Sequence, residues 1–411
     1  MRILLSSRGV LSCECGGFFR NSGTLVSALS GGTRPLLCSG PAVVPWCERR
    51  GFFLRANNSL RPTQARLMGE SVSQLYDVRI ARSSNCMRLT VVILLGVWFL
   101  FFPRSLPGAE YWNQYRGPAG NGQAQSNSLP LEWSETKGVI WKTPIHGKAW
   151  SSPVVWGDQV WMTSATEDGR KLYAICVDAR TGRVTHNRTV FDIAEPMYCI
   201  AFNSYASPTP VVEQGRLWVH FGSAGTACLD TASGEVVWAR QDLPCDHFRG
   251  PGSSPIVFRD LLILTFDGFD LQYVTALDKR SGNTVWKTNR GIEYGTTDGD
   301  FKKSYSTPVV FEHQGRLQLV SPTAAGTIAY DPLTGRELWK VHHGGYNAAA
   351  RPLYSHGLVI INLEGGLRLM AVRPDGTGDV SKTHVVWTCN RATPTRPSQL
   401  IVRDHLYMVN D

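Results

Sequence analysis

The sequence has 411 residues, with 42 Lys plus Arg against 33 Asp plus Glu and a formal charge of +9 at neutral pH. Such an excess favours an acidic partner such as nucleic acid, yet it is confined to the first hundred residues. Residues 1–86 hold 11 Arg, no Lys and 4 acidic side chains, whereas residues 110–411 hold 29 charges of each sign, so nucleic-acid binding is set aside.

Residues 1–86 show no hydrophobic periodicity and are read as a disordered extension upstream of the true start. An Arg- and Ser-rich organelle transit peptide is the alternative. Met87-Arg88 then opens a second N-terminus. The run Leu89–Phe102, followed by Leu106-Pro-Gly-Ala109, has the form of a secretory signal over residues 87–109. At 14 residues this run is short of the roughly 20 that a membrane span needs. No Cys follows it, which argues against a lipid anchor. Anchoring through residues 89–102 is the rival to cleavage and release into the periplasm or medium.

Residues 110–150 are rich in Gly, Asn and Ser and are expected to wrap over the body of the chain. Within them, Val139-Ile-Trp141-Lys reads as the last strand of a sheet whose first three strands are not ahead of it. From residue 151 a repeat sets in. Asp331, Thr334, Gly335 and Trp339 have the same spacing as Asp278, Ser281, Gly282, Trp286 and as Asp230, Ser233, Gly234, Trp238. A further copy has Asp178, Thr181 and Gly182 but puts His186 in the Trp position. The aspartates lie 52, 48 and 53 residues apart. Each copy predicts two strands joined by a tight turn, in which Asp and Ser/Thr bond the backbone and Gly takes positive φ. The strand after the turn carries an indole able to cover a large apolar area.

A Ser/Thr-Pro anchor precedes each copy, at Ser152-Pro153, Thr209-Pro210, Ser254-Pro255 and Thr307-Pro308. Weaker forms stand at Arg351-Pro352 and Arg396-Pro397. Each unit holds four short alternating segments, in the fourth unit over 309–312, 317–321, 326–330 and 337–341. Four strands at a period of about fifty residues predict an all-β propeller. The blades fall near 151–190, 207–241, 253–289, 305–341 and 350–389, and a sixth begins at Arg396. In the fifth, Arg373 replaces the Asp and the turn lengthens through Pro374–Asp379. The count predicts an open ring of five blades plus part of a sixth over 151–411, short of the usual complement by one and a half to two and a half blades. A closed six-bladed ring would instead pair 139–142 with 400–409.

The Ala-x-Asp-x-x-Thr/Ser-Gly-x-x-x-Trp pattern resembles the tryptophan-docking motif of the pyrroloquinoline-quinone (PQQ) repeat. That repeat is shared by quinoprotein dehydrogenases, the propeller lipoprotein of the outer-membrane barrel-assembly machinery and secreted bacterial PQQ-like propellers. The last group is similar also in Trp112-x-Gln114-Tyr115-Arg116-Gly117-Pro118, Gly122 and Leu129-Pro130-x-x-Trp133-Ser134. The resemblance covers residues 110–411. It implies either a non-catalytic binding or scaffold module, or a dehydrogenase oxidising an alcohol or sugar with PQQ and calcium. In those enzymes a vicinal Cys-Cys pair and a carboxylate base accompany the quinone. This chain has no adjacent cysteines, no carboxylate matched by motif and a shorter body, so the binding module is the expectation.

The sequence carries no haem-attachment, phosphate-loop, zinc-helix or nucleophile-elbow motif. Asp298-Gly-Asp300 lacks the alternating oxygen ligands of a calcium hand and reads as a solvated turn. His342-His343 reads as a surface loop. Cys176 and Cys228 fill the small-residue slot before the turn, and Cys199 with Cys245 is a possible disulfide. The segments leading into each blade converge over one mouth of the channel in a propeller. They carry Tyr205, Arg249, Lys303, Tyr305, Asn347, Arg351 and Arg396, a polar, aromatic and cationic funnel suited to an anionic or sugar-like ligand or a protein or glycan partner. The alternative is that these side chains merely cap strand ends around ordered water.

Overall fold

A computed structural model describes residues 111–124, 130–363, 368–391 and 393–409, together with the two strands Arg2–Ser6 and Leu11–Glu14. The expected signal segment, 87–109, and most of the N-terminal extension lie outside the described residues. The body is a succession of antiparallel four-stranded sheets, each running inner strand to outer strand in chain order. Blade 1 is Val154–Trp156, Gln159–Ala165, Lys171–Asp178 and Val184–Asp192. Blade 2 is Val211–Glu213, Arg216–His220, Thr226–Asp230 and Val236–Arg240. Blade 3 runs from Ile256–Phe258 to Thr284–Asn289, blade 4 from Val309–His313 to Glu337–His342, and blade 5 from Leu353–Ser355 to Val385–Cys389. A sixth unit supplies Leu400–Val402 and His405–Tyr407. This is the all-β, bladed architecture that the repeat predicts.

In blades 1 to 4 the turn between third and outer strands is the same device. In blade 1 the Asp178 Oδ1 accepts the backbone N–H groups of Arg180 and Thr181 and the Thr181 hydroxyl, while Gly182 N–H donates to the Asp178 carbonyl. Gly182, Gly234, Gly282 and Gly335 all have φ between 72° and 76°, where a side chain would be strained. They are glycines for a second reason. The outer-strand ring of the preceding blade lies flat on them, so a Cβ on Gly282 would meet Trp238 at 2.7 Å and one on Gly335 would meet Trp286 at 2.5 Å. Two of the indoles also donate to the carbonyl one residue past the turn Asp of the next blade, Trp238 to Lys279 and Trp286 to Pro332, whereas Trp339 donates to Gln318 Oε1 of its own blade. The motif is therefore an inter-blade lock, and its two halves sit in successive repeats.

The indoles differ in how deeply they sink. Trp339 is wholly buried and Trp286 nearly so, but Trp238 is only half-buried, short of the burial its motif predicts. His186 holds its slot by stacking on Trp161 at 5.3 Å and covering Gly234. Trp141, on the strand Val139–Pro144, docks on blade 1 by the same rule, with its indole over Gly182 and bonded to the Ala179 carbonyl.

Two pairings depart from expectation. Val139–Pro144 pairs antiparallel with Arg2–Ser6, which in turn pairs with Leu11–Glu14, inside the extension expected to be disordered; as the open ring requires, it does not pair with the 400–409 strands. Among the described residues no sheet joins the sixth unit back to blade 1. The lengthened turn of blade 5 also has a use: Gly378–Asp379 runs parallel to Trp339–Lys340 and adds a fifth strand to blade 4. That covers an otherwise open sheet edge. Among the described residues no helix is long and apolar enough to cross a membrane.

Candidate functional site

Strand alternation puts the crossover loops between blades on one face, together with the turns between second and third strands, and the Asp-Gly turns on the other. The innermost residues of the crossovers form a ring. Ser152 N–H donates to Thr209 Oγ1, Thr209 N–H to Ser254 Oγ, and Ser254 N–H to Thr307 Oγ1, each at 3.0 Å. Arg351 N–H then donates to Ser398 Oγ at 2.9 Å. The anchor hydroxyl thus ties blades 1 to 4 in succession and blade 5 to the sixth unit, while Arg351 stands in its place in blade 5. The pattern also corrects the sixth anchor: Ser398-Gln399, not Arg396-Pro397, occupies the equivalent place. The ring surrounds a cavity of about 180 Å³ lined by Tyr115, Trp150, Thr209, Ser254, Tyr305 and Thr307.

Residues 111–123 cross this ring. Trp112 pairs with Val155 of blade 1, the Asn113 carbonyl accepts Val212 N–H of blade 2, and the Tyr115 carbonyl accepts Arg351 Nη1 at 2.7 Å. Arg116 donates to the Gln399 carbonyl at 2.6 Å and Gln123 to that of Ile401. Arg351 is buried and its Nε donates to the Pro308 carbonyl, so backbone oxygens rather than a carboxylate meet its charge. Burial pushes its guanidinium down to about 10. Gly120 packs directly on it, since a Cβ there would fall 2.2 Å from Nη1. Arg351 is thus committed to holding the N-terminal strap rather than facing the mouth of the funnel.

Besides Arg351 and Lys303, the five remaining anticipated residues divide three ways. Arg249 and Asn347 converge, both on Asp300: Arg249 Nη2 reaches Oδ2 at 2.6 Å and Asn347 Nδ2 reaches Oδ1 at 3.0 Å. Asp300 belongs to the segment expected to be a mere solvated turn. Asp298 instead caps a 3-10 turn, Gly299–Phe301, which aims Asp300 at both partners. Tyr305 lines the ring cavity. Tyr205 packs away from it, over Gly169 and bonded to the Met197 carbonyl, and Arg396 is exposed in the loop before the sixth unit.

Lys303 is buried and its Nζ lies 3.2 Å from His247 Nδ1. His247 Nε2 accepts Ser223 N–H at 2.8 Å. A neutral imidazole has one acceptor nitrogen. Nδ1 therefore carries the hydrogen, and both Lys303 Nζ and Cys245 Sγ, the latter at 3.8 Å, face it. Burial lowers Lys303 and drives His247 well below the ordinary histidine range, and it pushes the neighbouring Cys245 thiol up to about 12. Cys199 and Cys245 are free thiols, so they do not form the disulfide weighed from sequence. Nearby, Arg290 and Asp267 form a fully buried bidentate ion pair, with bonds of 2.9 and 2.7 Å. His343 is also engaged, at 3.0 Å from Thr327 Oγ1, rather than loose on the surface. Nothing in the repeat motif signalled His247, Asp267, Arg290 or Asp300.

Around this lattice the crossover face exposes apolar side chains: Met197, Tyr198, Phe202, Phe269, Leu271 and Phe301. Phe248 stacks on Phe269, and Lys302 Nζ stands 4.8 Å above the Phe269 ring. Among the described residues no group of three or more His, Cys, Asp or Glu is arranged to hold a metal ion.

The sequence model of one family, described as outer membrane protein assembly factor BamB, matches residues 131–241 and 270–411. No curated protein sequence matches the chain. Among solved structures, the BamB of Moraxella catarrhalis aligns over 66% of this chain and 74% of its own, at 14% identity and a TM-score of 0.46. A europium-containing methanol dehydrogenase aligns over 69% of this chain and 58% of its own, at 13% identity and a TM-score of 0.50. The chain therefore spans little more than half of that enzyme, and at such identity the likeness concerns the fold alone.

Proposed function

This chain belongs to the family described as outer membrane protein assembly factor BamB, and we propose that within it the chain is a non-catalytic binding or scaffold module acting through its crossover face. The carrying observation is the contrast on that face between groups already satisfied and surface left bare. Arg249 and the Asn347 amide nitrogen are spent on Asp300, and Lys303 faces His247, whose other nitrogen accepts Ser223 N–H. Aromatic side chains such as Tyr198, 69% exposed, and Phe202, 65% exposed, project around them. Large apolar side chains exposed together on one face mark interaction sites. The partner is a protein or glycan. Export to the periplasm or medium is the companion proposal, resting on the signal-like residues 87–109.

The dehydrogenase reading fits the residues poorly. The ring cavity, about 180 Å³, is below the roughly 300–1,000 Å³ of small-molecule sites. Its lining offers hydroxyls, phenols and an indole, without a carboxylate to hold calcium. Two measurements test the proposal. Protein incubated with PQQ and calcium is expected to lose the quinone on gel filtration and to reduce no dye with alcohols or sugars; retained quinone with alcohol-dependent dye reduction overturns the reading. A photo-crosslinker placed at Tyr198 or Phe269 is expected to trap partners, while one at Arg280 on the turn face traps none. Equal trapping from both faces would remove the crossover face as the docking surface.

A further inference from the structure

Beside Phe301 the crossover face opens into a second cavity of about 410 Å³, lined by Tyr294, Thr296, Phe301, Ala325, Gly344 and Gly345. That is a volume typical of small-molecule sites. We propose that this cavity binds an organic cation, an alkylammonium or guanidinium group. The inference rests on the reading of the crossover face as the binding face and assigns one ligand chemistry to it.

Shape and charge carry the argument. Phe301 is 46% exposed, and its ring lies 5.8 Å from that of Tyr346 at a 57° tilt. With Tyr294 in the lining, aromatic faces thus flank the cavity. The rest of the lining is Thr296, Ala325, Gly344 and Gly345, and a Cβ on Gly344 would meet nothing within 4 Å. The wall is nearly bare backbone and admits a branched or planar group. No basic side chain lines the cavity.

The nearby charges are unequal. Glu293, next to Tyr294, and Asp298, which caps the turn bearing Phe301, are both exposed, and among the described residues neither has a cation within ion-pair distance. The cations of this region are already engaged. Arg249 is on Asp300, Lys302 sits over Phe269 and bonds its carbonyl, and Arg290 is sealed against Asp267. Carboxylates without a counter-ion, one residue from Tyr294 and three from Phe301 in the chain, together with aromatic rings whose quadrupoles present negative charge, favour a weakly hydrated cation over a neutral or anionic ligand. The cation can be a free amine or the Lys or Arg side chain of another protein, and the two sources are separable.

The test is a calorimetric titration of the full chain with butylguanidinium, with its neutral isostere butylurea, and with a blocked Gly-Arg-Gly peptide. Butylguanidinium is expected to bind in the millimolar range or tighter, at least about tenfold more strongly than butylurea. Phe301→Ala, at an exposed position that the fold tolerates, should weaken it about tenfold. Glu293→Gln with Asp298→Asn should weaken it several-fold and flatten its salt dependence. A peptide that binds more tightly than butylguanidinium identifies a protein-borne cation; one that binds no better identifies a free one. Equal binding of butylurea, indifference to Phe301→Ala, or no binding by about 10 mM overturns the cation site. Crossover-face crosslinking that persists after such a failure would leave the docking proposal standing and remove only this pocket.

Discussion

The two faces of the blades are built by opposite means. On the turn face, every Asp-Gly turn satisfies its own backbone within five residues and offers the preceding blade a flat glycine to cover. Charges there pair locally at the surface, as in Arg180 with Asp158 and Arg280 with Asp260. On the crossover face no two loops are alike, and order comes from partners tens of residues apart: Arg249 with Asp300, His247 with Lys303, Arg351 with Tyr115. Repetition makes a face that can be copied; irregularity makes a face that can be specific. A candidate binding surface is expected on the second kind, where side chains are free to differ.

The comparison breaks most sharply at the buried groups. Trp339→Ala should cost about 3–5 kcal/mol in urea unfolding, as for large core aromatics, and Trp238→Ala clearly less because that indole is half-exposed. Equal losses would mean that the lock is uniform after all. On the crossover side, Asp267→Asn should cost a comparable amount, roughly 3–5 kcal/mol, because Arg290 is left buried without a counter-charge. Arg351→Ala should cost about 1–3 kcal/mol by orphaning the Tyr115 and Pro308 carbonyls. It should also make the strap a preferred site of limited proteolysis, and an unchanged cleavage pattern would show that the strap is held elsewhere.

Acid should separate the faces without mutation. Burial holds His220 down to about 3 and His247 well below its ordinary range. The unfolded chain therefore binds protons first, and stability present above about pH 6.5 is lost as pH falls towards those depressed values. The turn aspartates are also lowered, Asp178 chiefly by the Thr181 hydroxyl and Asp230 and Asp278 by the backbone N–H groups of Ser233 and Ser281. Their contribution is lost only below about pH 4. Hydrogen exchange followed from pH 7 to 4 should thus loosen the crossover loops before the turns; simultaneous loosening would refute the distinction. The smallest effect belongs to Asp300→Ala, about 1 kcal/mol for a partly exposed ion pair, with Arg249 and Asn347 released together.

The sequence by itself determined the blade and its repeat, because the Asp-x-x-Thr/Ser-Gly turn is stabilised by atoms within five residues and the alternation of strands is local. It also determined that an indole must dock somewhere, though the partner glycine lies one repeat further on. Arg249 and Asn347 were legible as neighbours at one mouth, since equal topological position implies nearness. What only the tertiary structure decided are the long-range assignments. These are the use of Arg351 to hold residues 111–123, the burial of Lys303 against His247, the place of Ser398 in the hydroxyl ring and the parallel strand Gly378–Asp379. Each depends on which atoms come within about 3 Å across tens or hundreds of residues. A buried cation and an exposed one have the same letter in a sequence, and desolvation, which separates their chemistry, exists only once the chain has closed around them.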